Sequence, residues 1–176
     1  MSRLLKPSSE MSESEKAGTY ELLSLFAWVA VGILFVNVSY FIGTDVGGEV
    51  YRSSGDVIPV LQAFGTGLLK ASPTILIAIA MLDFAFFFQR CGKGDMFSER
   101  NVATLRSGAD SLIGAAIMSA IVAPAILGAM NEPGTHEVLR FTDLALGVGL
   151  MGIALHGFAG VMRDAVAIKK ENDEFV

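Results

Sequence analysis

Four stretches of the chain, Leu22 to Ile42, Ala71 to Gln89, Ser111 to Met130 and Leu144 to Met162, carry almost no charge. Each holds about 20 residues, enough to cross a hydrocarbon core of roughly 30 Å at about 1.5 Å per residue. The chain has 176 residues, 52% of them hydrophobic and only 18% charged. A soluble domain carries about 25% charged residues, and one of this length has no core large enough to hide the excess. The pattern therefore predicts an all-α fold, a polytopic membrane four-helix bundle with amphipathic surface helices. The first stretch is too long, and its flank too mixed in charge, for a cleaved signal peptide. Residues 1–20 read as a flexible polar tail, 21–163 as the membrane domain and 164–176 as an acidic tail.

Several function classes fall away. A net charge of -5 offers no basic field for direct nucleic-acid binding. Cys91 is the single cysteine, which excludes paired-thiol redox chemistry; lying beside an apolar run, it is at most an acylation site. Two histidines do not make a bis-histidine haem site in such a bundle. No group of residues has metal-ligand spacing, no glycine loop cradles phosphate, and no nucleophile lies beside a base. The expectation is a protein without catalytic, cofactor-binding or metal-binding residues, and hence no enzyme.

Basic residues predict the orientation. Ten of the thirteen lie in the N-terminal tail, the loop after the second stretch or the C-terminal tail; Arg52, Lys70 and Arg140 lie on the other side. The positive-inside rule puts both termini in the cytoplasm. On the outer side, Val57, Val60, Leu61, Phe64 and Leu68 recur at helical spacing after Asp56, with Pro59 in the first turn. They predict a short helix lying on the outer surface. Glu132-Pro133-Gly134 predicts a turn in the second outer connection.

The loop from Cys91 to Asn101 is the most distinctive segment. Gly92 and Gly94 break the preceding helix, Ser98 fits an N-cap, and Phe97 is placed to staple onto Val102. Val102, Leu105, Ala109 and Leu112 then share one face, predicting an amphipathic helix over 99–110 at the inner surface that runs into the third span. Gly94-x-x-Phe97-Ser98-x-x-Asn101-x-x-x-Leu105-Arg106 resembles the central motif of the YoaS-like proteins, small bacterial four-helix membrane proteins of unknown function. The C-terminal Ala167-Ile168-Lys169-Lys170-Glu171-Asn172-Asp173-Glu174-Phe175-Val176 is similar to that family's acidic tail, while Met96 stands where many members have proline. The resemblance covers about residues 20 to 176. It implies no catalytic residues, and it implies a regulatory partner, since such genes lie beside small helix-turn-helix regulators.

Two ionisable groups fall inside the spans. Asp83 lies seven residues before Arg90 and His156 seven before Arg163, so both sit roughly 10 Å inside the same boundary. Ala145, Gly149, Gly152, His156 and Gly160 form one small-residue stripe, and Ser107, Ser111, Ala115, Ser119 and Ala123 another. Asp83 and His156 are accordingly expected to pair and to dock the second helix on the fourth. Asn37 reads as a packing amide, Pro124 as a kink, and the Phe84, Phe86, Phe87, Phe88 run as lipid contact.

Two readings of function follow. The first is an integral inner-membrane adaptor whose surface motif (Gly94, Phe97, Ser98, Asn101, Leu105, Arg106) and tail bind a cytoplasmic transcriptional regulator. The second is a small homo-oligomeric transporter or channel subunit with a proton-linked Asp83/His156 pair.

Overall fold

The computed structural model describes residues 12–53, 56–130 and 142–174, and these are almost entirely helical. The elements are α1 (Glu13–Arg52), α2 (Val57–Gly92), α3 (Glu99–Ile117), a π-helical turn (Met118–Val122), α4 (Ala123–Ala129) and α5 (Asp143–Glu174). Four helical segments among these residues, the third running unbroken from Glu99 to Ala129, are long and apolar enough to cross a membrane. The all-α four-helix architecture is as the apolar stretches predict, and the chain is a multi-pass membrane protein. The Glu132-Pro133-Gly134 turn, Arg140, the first eleven residues and the closing Phe175-Val176 lie outside the described residues.

The helices are longer than the apolar stretches. The polar tail expected over 1–20 is already helical from Glu13, because Ser12 caps the Glu15 amide while the Glu15 side chain accepts from the Ser12 amide. At the other end, the segment read as a separate acidic tail continues α5 to Glu174 without a glycine or proline to stop it. The surface helix expected at Val57 begins there, after Asp56, but it does not lie apart: it runs on as the first turns of α2. Residues 43–52 likewise extend α1. The two extensions form an antiparallel hairpin, fastened where Asp45 faces Lys70 at 3.8 Å and where Gly67 comes up against Ile42. A methyl group at Gly67 would sit 3.7 Å from the Ile42 Cα, so a small residue permits that approach. Val57, Leu61, Phe64 and Leu68 remain exposed along the outside of this hairpin.

Lys70 and Arg90 bound the apolar part of α2. Nineteen residues of helix lie between them, which at about 1.5 Å each matches a hydrocarbon core of roughly 30 Å. Three prolines fall in these helices, and Pro59 sits in the first turn of α2, where no helical donor is needed. Pro73 cannot donate to the Leu69 carbonyl one turn earlier, and the Ser72 hydroxyl donates to that carbonyl at 2.7 Å instead. Pro124 opens α4 directly after the π-helical turn, which absorbs the disruption expected there.

Packing follows chain order: α1 lies along α2, α2 against α3, and α3 against α5. The Ser24 hydroxyl donates to the Ala85 carbonyl at 3.2 Å in the buried α1–α2 seam. The core gathers Ala80, Phe84, Phe87 and Cys91 of α2, Val102, Leu105 and Leu112 of α3, and Ala159 and Met162 of α5. Two expectations change here. Phe84 and Phe87 are core residues, and only Phe86 of the run is exposed, stacked edge-on against Trp28 at 5.7 Å. Asn37 is exposed, because α1 packs along a single neighbour and its remaining faces stay open.

Candidate functional site

The loop motif is built as a turn and a lock. Gly94 has φ of +82°, the left-handed region that glycine enters without steric cost. Ser98 caps α3 by accepting from the Asn101 amide. Asn101 is fully buried and donates from Nδ2 to the Met96 carbonyl and to the Cys91 sulfur, both at 3.3 Å. Arg90 ties the same end of α2 to α3 by donating to Thr104 Oγ1 at 2.6 Å. Met96, rather than Phe97, packs against the cluster that holds Val102; Phe97 is exposed.

Of the motif read as a surface, Asn101 and Leu105 are buried and only Gly94, Phe97 and Arg106 are exposed. The face of Val102, Leu105, Ala109 and Leu112 is apolar, as its spacing predicts, but it is buried in the helical core and not laid on lipid. The reason is that α3 continues straight into the third span, so its apolar side belongs to the bundle. Cys91 is buried as well, which removes it as an acylation site.

The intramembrane polar groups share one layer, with partners other than those expected. His156 does not meet Asp83. It meets Asp110 of α3, with Nδ1 at 2.7 Å from Oδ1. Which of the two groups donates depends on the imidazole tautomer. Arg106, one turn earlier on α3, places Nε 4.0 Å from the other Asp110 oxygen. Asp83 faces α3 at Gly108, where a methyl group would come within 3.2 Å of the Asp83 Cβ. Its Oδ2 is buried and makes no hydrogen bond.

Asp83, Asp110 and His156 thus stand within one helical turn of each other in height, as the count from Arg90 and Arg163 predicts for the first and last. The docking partner of α5 is α3, which lies between α5 and α2. Gly152 presses on the Ala109 carbonyl and the Ile113 backbone, and Gly149 on the Ala116 methyl, so the stripe containing His156 is the α3-facing stripe. Hydropathy alone misses Asp110, which falls one residue before the uncharged stretch. Its position four residues after Arg106 and ten after Arg100 is the signal that marks it.

A groove of about 880 Å³ opens between the N-terminal end of α3 and the C-terminal end of α5. Its floor is apolar, formed by Val102, Ala159 and Val166, and its walls carry Glu99, Arg163, Lys170 and Glu171. Gly157 and Gly160 line it, and a methyl group at either would touch nothing within 4 Å. The groove starts at His156 and runs past Arg163 to Glu174, out of the apolar layer. No group of three or more potential metal ligands occurs among the described residues.

The chain belongs to the family described as "Protein of unknown function (DUF2975)", whose model matches residues 22–176. That match takes in all four spanning helices and the loop motif. No curated protein and no solved structure matches the chain.

Proposed function

We propose that the protein is a non-enzymatic adaptor of the bacterial cytoplasmic membrane, with both termini cytoplasmic. In this reading the α3–α5 groove receives an amphipathic helix of a soluble partner, of which a helix-turn-helix regulator is the type the YoaS-like resemblance implies. The observation that carries it is the groove itself. An apolar floor with walls of both charge signs is the surface an amphipathic helix needs, apolar on one side and charged on its flanks. Because the groove continues beyond Arg163, a soluble segment reaches it without entering lipid. The buried Asn101 lock then has a simple role: it fixes α3 against α2, so that one wall of the groove stays in place.

A photo-crosslinking residue at Gly160 tests this in cells, with Phe26 on the open face of α1 as control. The expected result is one identified soluble protein captured from position 160 and not from 26, and lost when Gly157→Trp fills the groove. Capture of lipid alone from position 160 overturns the reading.

A second reading has its own support. Asp110 and His156 form a proton-bearing pair within the apolar layer, with Asp83 level with them, as a proton-linked transporter requires. Vesicles holding the purified protein and a pH-sensitive dye decide it: proton flux lost in both Asp110→Asn and His156→Ala supports transport, and its absence from the parent protein rules it out.

A further inference from the structure

We propose that the cavity between the outer extensions of α1 and α2 binds a zwitterionic group of the phosphoethanolamine kind, its phosphate at Lys70 and its ammonium at Glu49. The hairpin is built with its polarity reversed. The side chains of Lys70, Asp45 and Glu49 are only 32%, 34% and 29% exposed, and with Gln62 and Thr66 they line a cavity of about 440 Å³. Large apolar side chains point away from it: Tyr51, Val57, Ile58 and Leu61 are each at least 68% exposed. Water selects the opposite arrangement, with apolar groups inside and charged groups outside. A polar interior under an apolar exterior suits a hairpin that rests against lipid and holds a polar group between its helices.

The charges in the cavity balance and are ordered along it. Two carboxylates, Asp45 and Glu49, meet two cations, Lys70 and Arg52, so a ligand carrying both signs fits better than a bare anion or cation. Asp45 faces Lys70 at 3.8 Å at the base. Glu49 stands one turn further out on α1, roughly 6 Å at about 1.5 Å per residue, and Arg52 meets it at 3.4 Å from the exposed rim. Lys70 ends the apolar part of α2 and so stands at the level of lipid phosphates. An ammonium has three N–H donors, so Lys70 serves Asp45 and a phosphate oxygen together. A phosphoethanolamine group anchored there carries its own ammonium two carbons further out, to the Glu49 carboxylate. That carboxylate accepts from N–H, which a primary ammonium offers and a quaternary one does not. Gly48 leaves room beside Glu49, since a methyl group there would touch nothing within 4 Å. The cavity lies at the opposite end of the bundle from the α3–α5 groove, so the inference stands apart from the function proposed above.

Native mass spectrometry of the full chain, titrated in detergent with phosphatidylethanolamine, phosphatidylcholine or phosphatidylglycerol of matched acyl chains, tests it. The expected result is binding of the ethanolamine lipid at least fivefold tighter than of either other lipid. Glu49→Gln is expected to bring the ethanolamine and choline lipids within twofold of each other. The Glu49–Arg52 pair lies within one helix, so its loss leaves the α1–α2 seam intact. Gly48→Leu, which places a side chain in the cavity, is a second route to the same loss, and Lys169→Gln, exposed at the other membrane face, is expected to keep the preference. Soluble glycerophosphoethanolamine then names the source of the group. Displacement of the lipid means that the headgroup chemistry suffices and free zwitterions are ligands; retention of the lipid means that the site takes the membrane-borne form. Equal binding of the three lipids by the parent protein overturns the inference. So does a preference that persists in both Glu49→Gln and Gly48→Leu, which would place the lipid elsewhere on the bundle.

Discussion

His156 of α5 and Asp110 of α3 are joined by a hydrogen bond of 2.7 Å, one turn from the place where Gly152 presses on the backbone of Ile113. The close helix contact and the polar bond therefore fix the same register: the glycine lets α5 approach, and the histidine reaches the one carboxylate which that approach brings within range. Asp83, at the same height, is left on the far side of α3.

A double-mutant cycle separates the real pair from the one that depth alone suggests. His156→Ala and Asp110→Ala are expected to couple by about 1 kcal/mol, the scale of interhelical hydrogen bonds within membranes. His156→Ala and Asp83→Ala share no hydrogen bond or ion pair and are expected to add to within about 0.5 kcal/mol. Reversible unfolding of the four proteins of each cycle in mixed micelles gives both numbers. A coupling for Asp83 equal to that for Asp110 would contradict the geometry.

Glycines on one helix are expected to respond in opposite directions. A methyl group at Gly152 would lie 2.9 Å from Ile113 Cγ1 and 3.0 Å from both the Ala109 carbonyl oxygen and the Ile113 nitrogen. Two of those neighbours are backbone, so the helices must part, and Gly152→Ala is expected to cost about 2 kcal/mol. At Gly157 nothing lies within 4 Å, and Gly157→Ala gains helix propensity, about 0.5 to 1 kcal/mol. Thermal melts of the two variants should move apart on either side of the parent.

What the sequence made legible, and what it hid, divides along physical lines. Spanning helices are encoded locally, by length and hydropathy, and the four apolar stretches located them. The depth of Asp83 and His156 is also local, being a count of residues from Arg90 and Arg163. Which groups meet depends on how far each helix is displaced along its neighbour. The uncharged stretch of α3 starts at Ser111, yet Asp110 is level with Asp83 in the middle of its own stretch. That offset is set by Gly152 and Gly108 packing between helices, and a one-dimensional hydropathy reading contains no trace of it. The outer hairpin misleads for a related reason. Gly43, Gly47 and Gly48 weaken local helix preference, whereas the α1–α2 contact at Gly67 and the Asp45–Lys70 pair supply the tertiary support that carries both helices through. In the motif, the residue types of Ser98 and Asn101 were visible, but whether Asn101 faced water or core was not.

The Asn101 lock is expected to be among the most sensitive single positions. Asn101→Leu removes the donors to the Met96 carbonyl and Cys91 sulfur and leaves that part-buried carbonyl without its partner, at a cost of about 2 kcal/mol. Gly94→Ala forces a methyl-bearing residue to hold φ of +82°, at about 1 kcal/mol. Cys91→Ala keeps the second Asn101 bond, to the Met96 carbonyl, and should cost less than Asn101→Leu. The order of the three melting temperatures in one detergent checks the scheme, and a Cys91→Ala loss larger than that of Asn101→Leu would show that the thiol, not the amide, holds the turn.

Ser72 and Pro73 make the sharpest paired test of backbone accounting at the edge of the apolar layer. Proline at 73 leaves the Leu69 carbonyl without its helical donor, and the Ser72 hydroxyl supplies one at 2.7 Å. Without the hydroxyl this part-buried carbonyl has no donor from its own helix. Ser72→Ala is therefore expected to destabilise the protein by about 1 to 2 kcal/mol. In a Pro73→Ala background the backbone amide regained at position 73 donates to Leu69 in the ordinary way. The hydroxyl then becomes dispensable, and the same Ser72→Ala change should cost only about 0.3 kcal/mol. Unfolding free energies of the parent, the two single variants and the double variant are sufficient. Equal costs of Ser72→Ala in both backgrounds would mean that the hydroxyl is not replacing the missing helix bond.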